Sequence, residues 1–119
     1  MRAAVYSFSL RGAELSKKVG DFLHTLGYEV QVETLPKYAE EAKLPAMVGN
    51  HYQVTEEAFK NCQAIVYVGS VGIAVRSIAP FLKSKLVDPA IISVDERGNF
   101  VIPLVAGHIG GSNELARVL

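Results

Sequence analysis

Short, unbroken apolar runs alternate along this chain with longer stretches of helical or mixed period. Residues 3–8, AAVYSF, and 64–68, AIVYV, are the clearest of these runs. An apolar run without polar alternation suits a strand buried on both faces, as in the middle of a parallel sheet. Between them, SLRG (residues 9–12) reads as a loop, and Leu15, Val19, Phe22, Leu23 and Leu26 recur at helical spacing. Lys17, Lys18 and Asp21 fall elsewhere on that wheel, and Gly27 supplies a stop signal. His24 follows Leu15 by nine residues and so lies roughly 180° around the helix, facing solvent. YEVQVET, residues 28–34, alternates instead. Tyr28, Val30 and Val32 share one face, which predicts a half-exposed strand near a sheet edge.

Residues 36–53 contain Pro36, Pro45 and Gly49-Asn50 and show no clear period. They predict a long irregular connection with one helical turn at YAEEA. Tyr38, Met47, His51 and Tyr52 are expected to pack onto the core rather than cover a ligand. A helix is then expected to start with Thr55 as its cap, Glu56 and Glu57 in its first turn, and Val54 and Phe59 as a hydrophobic staple. After AIVYV a further helix is expected from Val71 or Gly72 to Ala79, stopped by Pro80. PAIISVDERGNFVIPLVAGH reads as two strands around a DERGN turn. The alternation predicts a three-layer α/β fold: a mainly parallel sheet, an antiparallel hairpin near residues 90–105, and helices on both faces.

At 119 residues the chain is the length of one domain, which can bury roughly two-thirds of its unfolded surface. Twelve basic and twelve acidic residues cancel. That balance argues against a nucleic-acid or membrane-surface binder, which needs a basic excess. Any anionic ligand must then be held by a local cluster. Cys62 is the only cysteine, so no internal disulfide forms, and burial is a commoner role for such a residue than reactivity. No apolar segment reaches the ~18 residues of a membrane span, and residues 1–10 lack the form of a signal peptide. The expected setting is cytoplasmic.

Two glycine turns carry candidate chemistry. Gly69, Ser70 and Gly72 lie where a buried strand passes into a helix, a place where free N–H groups and the helix dipole favour an anion. The spacing is neither a dinucleotide fingerprint nor a phosphate loop, and a tight turn with close packing explains the glycines equally well. Arg76 follows one turn later with Lys83 and Lys85 beyond it; the group is either a carboxylate-binding patch or an Arg76–Asp88 salt bridge with two solvated lysines. At the second turn, His108 sits between a strand-like run and Gly110, Gly111, Ser112 and Asn113, with Glu114 just beyond. A histidine near a helix N-terminus suits a neutral general base, glycine amides suit an oxyanion, and a carboxyl suits an acid. The alternative is a histidine that bonds neighbouring backbone and helps cap the helix. No side-chain group has metal-ligand spacing, and no serine elbow is present.

GIAVR, KSKLVDPA, VDERGNFVIPL and GHIGGSNELA, within residues 68–116, together resemble the N-terminal region of the cobalamin biosynthesis protein G family. Residues 1–67 match only in pattern. The resemblance implies a cobalt-precorrin-5A hydrolase of anaerobic vitamin B12 synthesis, which opens the ring A lactone of a cobalt-corrinoid with loss of acetaldehyde. It implies a corrinoid substrate that brings its own cobalt, with no further cofactor. The resemblance does not itself fix the catalytic residues; for such a reaction the chemistry of the second turn makes His108 and Glu114 the expected catalytic pair. Gly69, Ser70, Gly72, Arg76, Gly110, Gly111, Ser112 and Asn113 would bind substrate. Residues 1–119 are expected to form one α/β domain, the N-terminal part of a longer or split enzyme, completed by a C-terminal domain or a second copy. Two other readings stand beside it: a non-catalytic corrinoid-binding or subunit-interaction module, and a small anion- or nucleotide-binding domain.

Overall fold

The computed structural model describes residues 1–84, 87–105 and 112–119, with side chains from Leu115 onward in the last segment. Among the described residues five strands form one sheet: β1 (Arg2–Ser7), β2 (Glu29–Thr34), β3 (Ala64–Val68), β4 (Ala90–Val94) and β5 (Val101–Val105). Their spatial order is β2-β1-β3-β4-β5, parallel throughout except for the final antiparallel pair. The alternating YEVQVET segment does lie at an edge, and the two unbroken apolar runs are central.

The helices are α1 (Leu10–Thr25), α2 (Pro36–Ala42), α3 (His51–Asn61), α4 (Val71–Ile78) and α5 (Ser112–Val118), with a 3-10 turn at Ala79–Phe81. Val19 and Leu23 of α1 and Leu115 of α5 pack with Ala3, Val5, Val66, Val68, Ile92 and Val94 on one face. On the other, Val54 and Ala58 of α3 and Ala74 and Ile78 of α4 pack with Ala4, Tyr6, Ile65, Tyr67 and Ile91. Helices thus cover both faces of the sheet, as the three-layer pattern predicts.

Two helix starts differ from the sequence expectation. α1 begins at Leu10, because the Ser9 side chain accepts the Gly12 N–H at 2.9 Å and caps it; SLRG is its first turn, not a loop. α3 begins at His51, because Asn50 and Gln53 form a reciprocal capping box. Thr55 is no cap: it is buried, and its hydroxyl shares a hydrogen bond with Tyr67. The connection after β2 is correspondingly less irregular than expected. Met47 is buried there as predicted, whereas Tyr52 remains 39% exposed.

The β4–β5 hairpin turns on Asp95. Its carboxylate accepts the Phe100 N–H at 2.6 Å and the Arg97 N–H at 3.2 Å, and Gly98 takes the left-handed conformation at φ 77°. Pro103 sits in edge strand β5, where a missing N–H costs least. Among the described residues no helix is long and apolar enough to cross a membrane.

Candidate functional site at the carboxyl edge of the sheet

Parallel α/β sheets bind ligands where neighbouring strands send their chains to opposite faces. Here that place lies between β1 and β3, paired in register from Ala3↔Ala64 to Ser7↔Val68. β1 leads through Phe8 and Ser9 into α1 on one face, and β3 through Gly69 and Ser70 into α4 on the other. Two helix N-termini, each with first-turn N–H groups that the helix itself leaves unpaired, thus open side by side.

Both entrances are capped by serine. Ser9 Oγ accepts from Gly12, and Ser70 Oγ accepts the Ile73 N–H at 3.3 Å. Gly69 donates its N–H to the Val94 carbonyl at 2.8 Å, tying the β3 end to the β4 end. Glu96 then reaches back from the hairpin, and Ser9 Oγ donates to its Oε2 at 2.6 Å. Gly69, Ser70, Asp95, Glu96 and Arg97 line an open groove of about 360 Å³. Its lining carries one hydroxyl, on Ser70, and side chains of both signs of charge.

Sequence reasoning found half of this. Gly69 and Ser70 line the groove, Gly72 lies in the first turn of α4, and Arg76 is exposed one turn further on. An added Cβ at Gly72 would lie 3.6 Å from the Arg76 guanidinium, so the arginine folds back toward the start of its own helix. The Arg76–Asp88 salt bridge is absent among the described residues; the Asp88 carboxylate instead accepts the Lys83 N–H at 3.0 and 3.1 Å. Ser9 and Glu96 were missed. Ser9 precedes a helix by one residue, a cap signal that was available; Glu96 is 87 residues away, and no local pattern could join it to Ser9.

His108, Gly110 and Gly111 lie outside the described residues, as does Lys85. Ser112, Asn113 and Glu114 open α5, their side chains likewise outside the description. The strand before them ends at Val105, opposite Ile91, at the amino edge of the parallel strands. Gly69 and Ser70 stand at the carboxyl edge. The end of β5 and the start of α4 thus stand at opposite edges of the sheet.

Cys62 is buried, and burial pushes its thiol up from the ordinary value, the reverse of what a nucleophile needs. A larger groove of about 450 Å³ runs along Tyr6, Gln31, Glu33, Gln53, Glu56 and Glu57. Burial raises the Glu33 carboxyl above the ordinary value, but three carboxyls lining one groove suit a polycarboxylate ligand poorly.

Ser7 Oγ, at the end of β1, is the one buried side-chain nitrogen or oxygen without a hydrogen-bond partner among the described residues. An unpaired buried hydroxyl costs about 1–3 kcal/mol. Ser7→Ala is therefore expected to leave stability unchanged or raise it by up to about that amount. Urea unfolding of the two proteins checks this, and a clear loss of stability would show that the hydroxyl is paired.

Over residues 53–119 the chain matches the family described as Cobalamin synthesis G N-terminal. It is 35% identical over 116 residues to the cobalt-precorrin-5A hydrolase of Salmonella typhimurium, covering 98% of this chain and 31% of that one. With the cobalt-precorrin-5A hydrolase of Priestia megaterium it shares 30% identity over 114 residues, or 96% and 30% of the two chains. A crystal structure of a cobalamin biosynthesis protein G homologue from Sulfolobus solfataricus superposes with a TM-score of 0.75 at 29% identity, across 98% of this chain and 32% of that one. The chain thus spans about a third of the length of these relatives. It belongs to the cobalamin synthesis G N-terminal family.

Proposed function

We propose that this chain is the N-terminal domain of a cobalt-precorrin-5A hydrolase that acts in the cytoplasm in anaerobic cobalamin synthesis. The observation that carries the reading is the alignment of two hydrolases of that name over 98% and 96% of the chain. The reaction is opening of the ring A lactone by water, after which a two-carbon fragment leaves as acetaldehyde. Lactone opening needs a base for water, donors for the tetrahedral oxyanion and an acid for the departing oxygen. His108, the Gly110 and Gly111 amides, and Glu114 are the candidates, with Ser112 and Asn113 beside them. Gly69, Ser70 and Gly72, at the start of α4, and Arg76 fit the acetate and propionate arms of the macrocycle. The substrate brings its own cobalt.

A second reading draws on the sheet. Val105, the last described residue before the second glycine turn, lies at the opposite edge of the sheet from Gly69. On this reading the carboxyl-edge groove binds corrinoid, and the chemistry belongs to a further domain or a second copy. Acetaldehyde release from cobalt-precorrin-5A separates the two, with this chain assayed beside the full Salmonella typhimurium enzyme. Release by the 119-residue chain, abolished in His108→Ala, is the result expected of a self-contained hydrolase. Release by the longer enzyme alone would leave this domain a binding wall. Failure of both enzyme and chain to release acetaldehyde would overturn the hydrolase reading.

A further inference from the structure

His51 opens α3 and is pinned to α4. Its Nδ1 lies 2.6 Å from Ser77 Oγ, and that hydroxyl donates its only proton to the Ile73 carbonyl at 2.7 Å. The proton on the histidine contact must therefore sit on Nδ1. In the neutral ring this leaves the lone pair on Nε2. Nε2 has no partner among the described residues and is not among their fully buried unpaired atoms, so it keeps some contact with solvent. The ring is held further by Tyr52, at 4.2 Å between centroids, and by the capping box directly before it.

This is how proteins prepare an imidazole to bind a metal: one nitrogen donates to a neighbour, which fixes the tautomer and aims the other. Resting on the hydrolase reading above, we propose that His51 Nε2 is an axial ligand for the cobalt of the corrinoid substrate. A macrocycle supplies its own equatorial nitrogens, so a single imidazole suffices. The location agrees. Tyr6 donates to the Val54 carbonyl and Tyr67 bonds Thr55, and both tyrosines stand one residue from the ends of their strands. The first turns of α3 thus lie at the carboxyl edge, the edge of Gly69 and Ser70. Tyr52, 39% exposed, follows His51 in the chain and offers an aromatic ring beside it. Ser77 acts through His51 and is a positioning residue.

The test uses this chain with cob(II)inamide, a corrinoid that lacks a nitrogenous lower ligand of its own. Electron paramagnetic resonance of low-spin Co(II) reads an axial nitrogen directly as a triplet superhyperfine splitting. The expected result is that splitting in the unaltered chain and its loss in His51→Ala and His51→Gln. Ser77→Ala should retain the splitting while weakening binding about 10- to 100-fold, the usual cost of losing such a supporting bond. Bound cobinamide without splitting, splitting that survives both His51 variants, or no binding would each overturn the inference. Absence of the splitting in the unaltered chain overturns the inference whether or not a His51 variant folds, and His24→Ala and His108→Ala should each retain it, which excludes the other two histidines. None of these outcomes touches the acetaldehyde assay, which tests the hydrolase reading separately.

Discussion

Raising the pH above about 10 is expected to destabilise this fold by about 2.7 kcal/mol per pH unit through two side chains, Tyr6 and Tyr67. Both are among the largest fully buried side chains of the sheet. Burial pushes both phenols well above their ordinary value; a hydrogen bond from Gln31 to Tyr6 and one between Thr55 and Tyr67 offset only part of this. The sign follows from proton counting. Above the ordinary tyrosine value the unfolded chain releases these protons while the folded chain keeps them. The unfolded state then binds fewer protons, and stability falls as pH rises from about 10 toward the raised folded values. Each tyrosine contributes about 1.4 kcal/mol per pH unit. Urea unfolding from about pH 9 upward checks the slope, and Tyr67→Phe isolates half of it. That variant should also cost about 1–3 kcal/mol at neutral pH, because it leaves the Thr55 hydroxyl buried without its partner. A slope unchanged in Tyr67→Phe would mean that this phenol reaches water.

The layers of the fold were legible because burial writes directly into residue type. AAVYSF and AIVYV are apolar on both faces because helices cover both faces of β1 and β3, and YEVQVET alternates because β2 has an edge. Helix starts were harder. Gly49-Asn50 looks like a turn, and Gly49 does take a left-handed φ of 96°, but the asparagine also caps α3, so one dipeptide ends the loop and begins the helix. Gly12 looks like a breaker inside a loop. Its helix tolerates it because tertiary packing there demands a residue with no side chain.

The site divides along the same line. Gly69 and Ser70 announce themselves because a buried strand, a glycine and a cap occur in sequence order. Glu96 gave no such signal: within DERGN it is one more polar turn residue, and only the pairing of β3 with β4 carries it to Ser9. His51 was read as packing, which is half correct, since Nδ1 is spent on Ser77 and Nε2 is not. A sequence can show that a histidine lies near a helix start. It cannot show which nitrogen is left over.

Gly12→Val should be the most damaging single change at the switch point. A Cβ at this position would lie 3.1 Å from the Val68 carbonyl oxygen and 3.0 Å from Ser9 Oγ. The first is backbone of a central strand and cannot retreat. The second is the cap of α1 and the donor to Glu96, so any retreat strains both bonds. Overpacking costs about 1–3 kcal/mol, and a lost cap adds about 0.5–2 kcal/mol. The branched side chain should therefore destabilise by about 3 kcal/mol or more. Ser9→Ala separates the contributions, since it removes the cap and the Glu96 bond but leaves the packing intact; about 1 kcal/mol is expected. If Gly12→Val matched Ser9→Ala in urea unfolding, the clash with Val68 would carry no weight. A larger loss places the cost in the approach of α1 to the end of β3, the contact that brings the two helix N-termini together.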